Sequence, residues 1–446
     1  MTSLSDRLRG VIGGRVLERG AAPVPRPPVA PPVHDSIARV LDGEWHERSG
    51  QRFLVVDRRY VPGYRHGAIT LADSLPPSDS AWPRLSLLTG GARADRLLFV
   101  DLETTGIAGG AGTYAFLVGC GWFDGGTFRV RQFFLSSFTA ERALLEAVAE
   151  VAADAGTVVS YNGKSFDLPI IETRFALHRL PSPFAEMPHV DMLHPARHMW
   201  RGPGRRRSVG KDASCGGAED AFDDDGRQDI PGACRLTTLE QQLCGYVREG
   251  DVAGFEIPAR YFRFVHAGDP RPLLAVLEHN RLDLISLALV TARTAQLLED
   301  GPAAARTARE ALGMGRLYAR GGMMAEAKSA FARAIELEQD DECLRAEALR
   351  AYALAARRLR QYDDAAEAWR RLLDLSEVPG SIEREASQAL AVHLEHRQCD
   401  LASARDFALR LLNGDASPAR RQAAEYRLAR LDRKLGSRTA QPALAF

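Results

Sequence analysis

An α/β domain with a mixed sheet, followed by an all-α domain of stacked helix pairs, is the fold class this sequence predicts. Three observations predict it. Between residues 96 and 300, short apolar runs of strand character alternate with helical periods in the order three strands, helix, strand, helix, strand, helix. From about residue 301 the strand runs stop and Ala, Leu, Arg and Glu recur with a helical period. The 446 residues exceed what one hydrophobic core usually serves, so at least two domains are expected.

Composition narrows the classes further. With 45% hydrophobic and 26% charged residues, the chain is neither collagen-like nor wholly disordered. The 58 basic residues balance 58 acidic ones, so any nucleic-acid contact must come from a local lining rather than an overall field. Lysine occurs only at Lys164, Lys211, Lys328 and Lys434, which marks the arginine richness as bias and discounts basic runs. The six cysteines form no C-x-x-C pair and have no His at zinc-finger spacing; neither a disulfide framework nor a zinc site is expected, and a reducing cytosol fits. No stretch reaches the ~18 apolar residues of a membrane span and the N-terminus lacks a signal-peptide core, so a soluble, cytoplasmic protein without a membrane partner is expected.

Residues 1–50 read as a flexible leader, because AAPVPRPPVAPPVHD (21–35) has too many prolines for a ladder of backbone hydrogen bonds. Residues 51–95 read as a short β-rich preamble, with QRFLVVDRRYVPGYRHGAITLA alternating as an antiparallel ribbon about a Pro-Gly turn. The main domain, 96–300, opens with the buried-strand run Leu97–Val100, which ends on Asp101. TYAFLVGCGWF and TFRVRQFF flank Asp124-Gly125-Gly126, a composition suited to the positive φ of a tight hairpin. Thr139 is placed to cap a helix whose face carries Leu144, Leu145 and Val148; TVVSY (157–161) is the fourth strand. Residues 202–233 carry a basic triplet and an acidic run without any apolar period and read as a disordered insert. In 301–446, MAEAKSAF, YDDAAEAW and DLASARDF begin at 324, 362 and 400, a 38-residue repeat of paired helices.

Chemistry concentrates in three places. In Asp101-Leu102-Glu103 a strand aims two carboxylates at one side, which is tolerable when a cation neutralises them, and hard oxygen donors select Mg²⁺ or Mn²⁺. In SYNGKSFD (160–167) an Asn-Gly turn leads to Asp167 at a helix start, a position that dipole compensation also explains. In LEHNRLD (277–283), His279 and Asp283 share a helix face, either as a surface pair or as base and ligand. Gly109, Gly110 and Gly112 could admit a nucleotide or simply turn the chain. Asp191, Thr238 and Glu240 have ordinary structural readings at strand and helix ends.

Taken together, these elements resemble the three motifs of the DEDD (DnaQ-like) 3′→5′ exonucleases. The stretch 97–290, with LETTGIAGGAGTYAFLVG, YNGKSFDLPIIETRF, CRLTTLE and HNRLDLISL, resembles the YprB-type ribonuclease-H-like family, and the tail resembles tetratricopeptide repeats. The resemblance implies a ribonuclease-H-like sheet and a metal-dependent 3′→5′ exonuclease with Asp101, Glu103, Asp167 and Asp283 as ligands of two Mg²⁺ or Mn²⁺ ions. It implies His279 as the general base, although His279 stands four residues before Asp283 and Glu278 holds the five-residue position usual for such a His. The implied partner is nucleic acid with a single-stranded 3′ end; the repeats imply a protein partner. The alternative is a catalytically weak nucleic-acid-binding or assembly module whose repeats recruit the working partner.

Overall fold

The computed structural model describes residues 34–76, 82–91, 95–106, 110–201, 234–412 and 418–439. The proline-rich run and the expected insert at 202–233 lie outside these, apart from the first helix turn at His34. The strands are β1 (Glu44–Arg48), β2 (Gln51–Tyr60), β3 (Arg65–His66), β4 (Ile69–Thr70), β5 (Leu97–Thr104), β6 (Ala115–Asp124), β7 (Thr127–Phe134), β8 (Thr157–Ser160) and β9 (His189–Asp191). Seven form one mixed sheet in the order β1-β2-β7-β6-β5-β8-β9, while β3 and β4 make a separate two-stranded ribbon. Strands β5, β6 and β7 are antiparallel as expected, and β8 and β9 add in parallel. The β6–β7 turn uses Gly125 and Gly126 at φ 52° and 79°, the left-handed values a tight hairpin needs at both central positions.

Two expectations change. Residues 34–48 are structured: α1 (His34–Leu41) buries Ile37 and Leu41, and β1 pairs with β2. One apolar pair a helical turn apart is enough when a core receives it, but it is faint beside so many prolines. Nor is 51–95 a preamble, since β2 does not fold back on 65–70 and instead pairs with β7 as an integral strand. Pairing of segments so far apart in sequence leaves no local pattern.

Helices cover both sheet faces. On one side α2 (Glu141–Ala153), α3 (Asp167–Leu177) and the helix Ile257–Ala267 pack on Leu98, Val100, Phe116 and Val118. Helix α2 starts after a 3₁₀ turn, with Ala140 rather than Thr139 at its N-cap. On the other side the 27-residue helix Leu274–Asp300 places Leu284, Ile285 and Ala288 with Leu97 and Phe99. Leu297 and Leu298 of that same helix enter the core of the C-terminal helices, so one element belongs to two cores. Those helices run Ala308–Arg320, Met324–Leu337, Glu342–Arg358, Tyr362–Leu373, Gly380–His393, Leu401–Leu412 and Pro418–Thr439. Phe331 and Trp369, 38 residues apart, are both buried, on the helices Met324–Leu337 and Tyr362–Leu373. Among the described residues no helix is long and apolar enough to cross a membrane.

Candidate active site

The period-2 alternation of β5 decides where the first two acids point. Leu98 and Val100 belong to one core, Leu97 and Phe99 to the other, so Asp101 and Glu103 continue the row that faces the helix Leu274–Asp300. That helix comes close because Gly119, the β6 partner of Asp101, has no side chain: a Cβ there would sit 2.4 Å from Asn280 Oδ1. Asn280 fills the space, donating from Nδ2 to Asp101 Oδ2 (2.7 Å) and to the Asp101 carbonyl (3.1 Å). Its own Oδ1 accepts from Gln132 Nε2 of β7 at 2.8 Å. One carboxylate is thus oriented by a fully buried amide chain.

Asp167 arrives from the loop after β8. Asn162 adopts a left-handed φ of 64°, and Asp191 fixes the turn by accepting from the backbone N–H groups of Asn162 (2.7 Å), Lys164 (3.0 Å) and Leu193 (3.1 Å). Asp191 therefore holds the loop that delivers Asp167. The fit at Gly163 is close, since a Cβ would lie 2.3 Å from Ser160 Oγ and 3.1 Å from Asp167 Oδ2. Gly163→Ala is expected to cost about 1–3 kcal/mol of stability, the usual penalty of overpacking, and to lower activity more than Tm alone would. Thermal melts and rates measured on the same preparation check it.

The acids sense one another. Burial, then the charges of Asp283, Glu103 and Asp167, holds Asp101 well above the usual carboxylate range. Glu103 is raised in the same way by burial and then by Asp283, Asp167 and Asp251. The structure thus brings Asp101, Glu103, Asp167 and Asp283 into one electrostatic cluster, from β5, the first residue of α3 and the long helix. His279 joins it, with Nε2 3.6 Å from Asp283 Oδ2 and Nδ1 donating to Asp251 Oδ1 at 2.7 Å. Burial works against its charge, but the Asp251 hydrogen bond and the charges of Asp283, Asp251 and Asp101 outweigh it, and its pKa is raised. Glu278 is engaged elsewhere: Arg281 Nε donates to it at 2.7 Å, and Arg281 also donates to Tyr60. Gly110 and Gly112 have open space at their Cβ positions; Gly109 lies outside the described residues.

Sequence reading missed Asp251, Arg248 and Asn280 and undervalued Glu240. Glu240 is fully buried and accepts from His66 Nε2 (2.7 Å), Arg248 Nε (2.7 Å) and Ser286 Oγ. Arg248 reaches on to Asp283 Oδ1 at 2.5 Å. Asn280 could have been found, because it precedes Asp283 by three residues and so shares its helix face. The others come from a segment without periodic signal.

A divalent ion can be tested against these donors. Their type fits, as carboxylate oxygens are what Mg²⁺ and Mn²⁺ take, and so does the charge, since after burial the neighbouring carboxylates raise Asp101 and Glu103 further. Among the described residues no three His, Cys, Asp or Glu side chains are already gathered as ligands of one ion. The cluster matches in kind and would have to tighten.

Comparison with known proteins agrees with the fold. A family model described as RNase_H superfamily matches residues 98–295, the span from β5 through most of the long helix. The uncharacterized protein YprB of Bacillus subtilis (strain 168) is 28% identical over 395 residues, which cover 86% of this chain and 86% of that protein. The similarity therefore extends into the helical tail as well.

Proposed function

We propose, from the premise that residues 98–295 form a domain of the RNase H superfamily, a class of nucleic-acid hydrolases, that this protein is a divalent-metal-dependent 3′→5′ exonuclease. Asp101, Glu103, Asp167 and Asp283 would hold two Mg²⁺ or Mn²⁺ ions. One observation carries the reading: four carboxylates from three separate segments lie within reach of one another's charge, Asp283 and Asp167 opposing the ionisation of both Asp101 and Glu103. Such a cluster is costly unless cations neutralise it. Bound ions supply the charge that stabilises an attacked phosphodiester and make a bound water more acidic.

The chain's own residues do the rest. Asn280 fixes the direction of Asp101, and Asp191 fixes the loop of Asp167. Asp251 holds the His279 Nδ1–H, leaving Nε2 on the side of Asp283 to accept the water's proton. Glu278, paired with Arg281, is the weaker candidate base. The rings of Phe138 and Phe262, both exposed, and Tyr114 form a loose series through Tyr261, with centroids 4.5 to 6.1 Å apart. The Tyr114 backbone N–H donates to Thr105 Oγ1, two residues past Glu103, and the exposed rings of Phe138 and Phe262 would stack bases of a single strand. The 38-residue helix pairs would offer a tetratricopeptide-like surface to a protein partner.

The test is cleavage of 3′-ended DNA and RNA oligonucleotides with Mn²⁺ or Mg²⁺, beside Asp167→Ala. Shortening from the 3′ end by the wild type and none by the variant is expected. Oligonucleotide binding without cleavage by the wild type would replace this reading with that of a binding module. His279→Ala is expected to lower kcat and to abolish the rise in rate with pH, since the base must lose its proton to work.

A further inference from the structure

We propose that Arg248 is a resident counter-cation of the acid cluster, which a divalent ion must displace from Asp283. This rests on the metal reading above and concerns what the protein does before the ion arrives. The Arg248 side chain is only 4% exposed, yet it is surrounded by carboxylates. Its Nε donates to Glu240 Oε2 at 2.7 Å, its Nη1 lies 3.3 Å from Asp251 Oδ2, and its Nη2 lies 2.5 Å from Asp283 Oδ1. The guanidinium therefore joins two acids outside the proposed ligand set to one acid inside it.

The two outer anchors are firm. Glu240 is held by His66 and Ser286 in addition to Arg248, and Asp251 is held by His279 and the Val252 backbone N–H. Arg248 can thus release Asp283 and still keep two carboxylate partners, so displacement does not leave a buried charge unpaired. A divalent ion and a guanidinium on one carboxylate repel each other, and the ion brings twice the charge. With the ion absent, Arg248 offsets repulsion within the cluster; with it present, Arg248 weakens binding. The protein would then keep a folded site without metal, in exchange for lower metal affinity.

Mn²⁺ binding to the full-length protein, read by the electron paramagnetic resonance of free Mn²⁺, tests this. Arg248→Gln is expected to bind Mn²⁺ about tenfold more tightly, within the usual range of coupling between sites, and to melt at lower temperature in EDTA. Arg248→Lys keeps the charge and is expected to stay near the wild-type Kd; equal changes in both variants would mean that only the shape of the fork matters, and would overturn the proposal. Unchanged or weaker binding by Arg248→Gln overturns it too. If that variant does not fold, the wild-type Arg248 side-chain Nε–H resonance, assigned by its loss in Arg248→Lys, is expected to shift with the Mg²⁺ binding midpoint, and a resonance that stays fixed through saturation rejects displacement. A wild type that binds neither Mn²⁺ nor Mg²⁺ sinks the metal reading itself, whereas normal wild-type binding with an indifferent Arg248 sinks this inference alone.

Discussion

Asp101→Asn is expected to abolish metal-dependent hydrolysis, by at least about 10³-fold in kcat, while making the metal-free protein more stable than the wild type. The two effects have one cause. Asp101 is held well above the usual carboxylate range by burial and then by Asp283, Glu103 and Asp167, so its ionised form is disfavoured in the fold. Asparagine has nearly the same shape, can still accept from Asn280 through its amide oxygen, and carries no charge. For an acid whose folded pKa exceeds its unfolded one, the stabilising contribution is present below the unfolded pKa and lost as pH rises through the folded pKa. The advantage of Asp101→Asn over wild type should therefore grow from pH 5 to pH 8 in EDTA, reaching on the order of 2–4 °C in Tm. Saturating Mn²⁺ should shrink or reverse it, because only the wild type offers the ion a charged ligand there. An asparagine variant that melts below the wild type at pH 8 without metal would contradict the account of the cluster.

How much of this was legible in the sequence depends on the range of each signal. The β5 run and its two acids, the β6–β7 hairpin and the long helix carrying His279 and Asp283 are set by patterns within about ten residues, and they appear where expected. The helical period of the tail likewise appears as helices, with Phe331 and Trp369 both buried. What escaped depends on contacts across the chain. Strand β2 finds β7 over 70 residues away in sequence, as at Asp57 and Arg131, and α1 is stable because a distant core receives Ile37 and Leu41. The ring of groups behind the acids is of the same kind. Gln132 from β7, Glu240 after a short helix and Asp251 in a loop have no common spacing, and each looks ordinary until the fold sets it against Asn280, Arg248 or His279. Local sequence thus named the groups proposed to do chemistry better than those that hold them.

Glu141→Ala is the substitution expected to cost most in stability outside the acid cluster. Glu141 opens α2, is almost fully buried, and accepts two hydrogen bonds from Arg174, at 2.5 Å each from Nε and Nη2, and one from His178 Nε2 at 2.7 Å. Arg174 also donates to the carbonyl of Ala111, in the segment after Glu103, and stacks its guanidinium 4.1 Å from the Tyr114 ring. Alanine would leave a buried guanidinium without its carboxylate, a loss of about 3–5 kcal/mol. Glu141→Gln keeps the size and one acceptor oxygen and should cost less. The effect on activity follows from where Arg174 sits: it lies on α3, which begins at Asp167, so α2, α3 and the segment after Glu103 are tied at one point. Urea unfolding with single-turnover rates measured well below the midpoint separates the two effects. If the positions of Asp167 and Glu103 depend on this tie, folded Glu141→Gln should show a lower kcat at saturating metal; a full rate would limit the pair to stability.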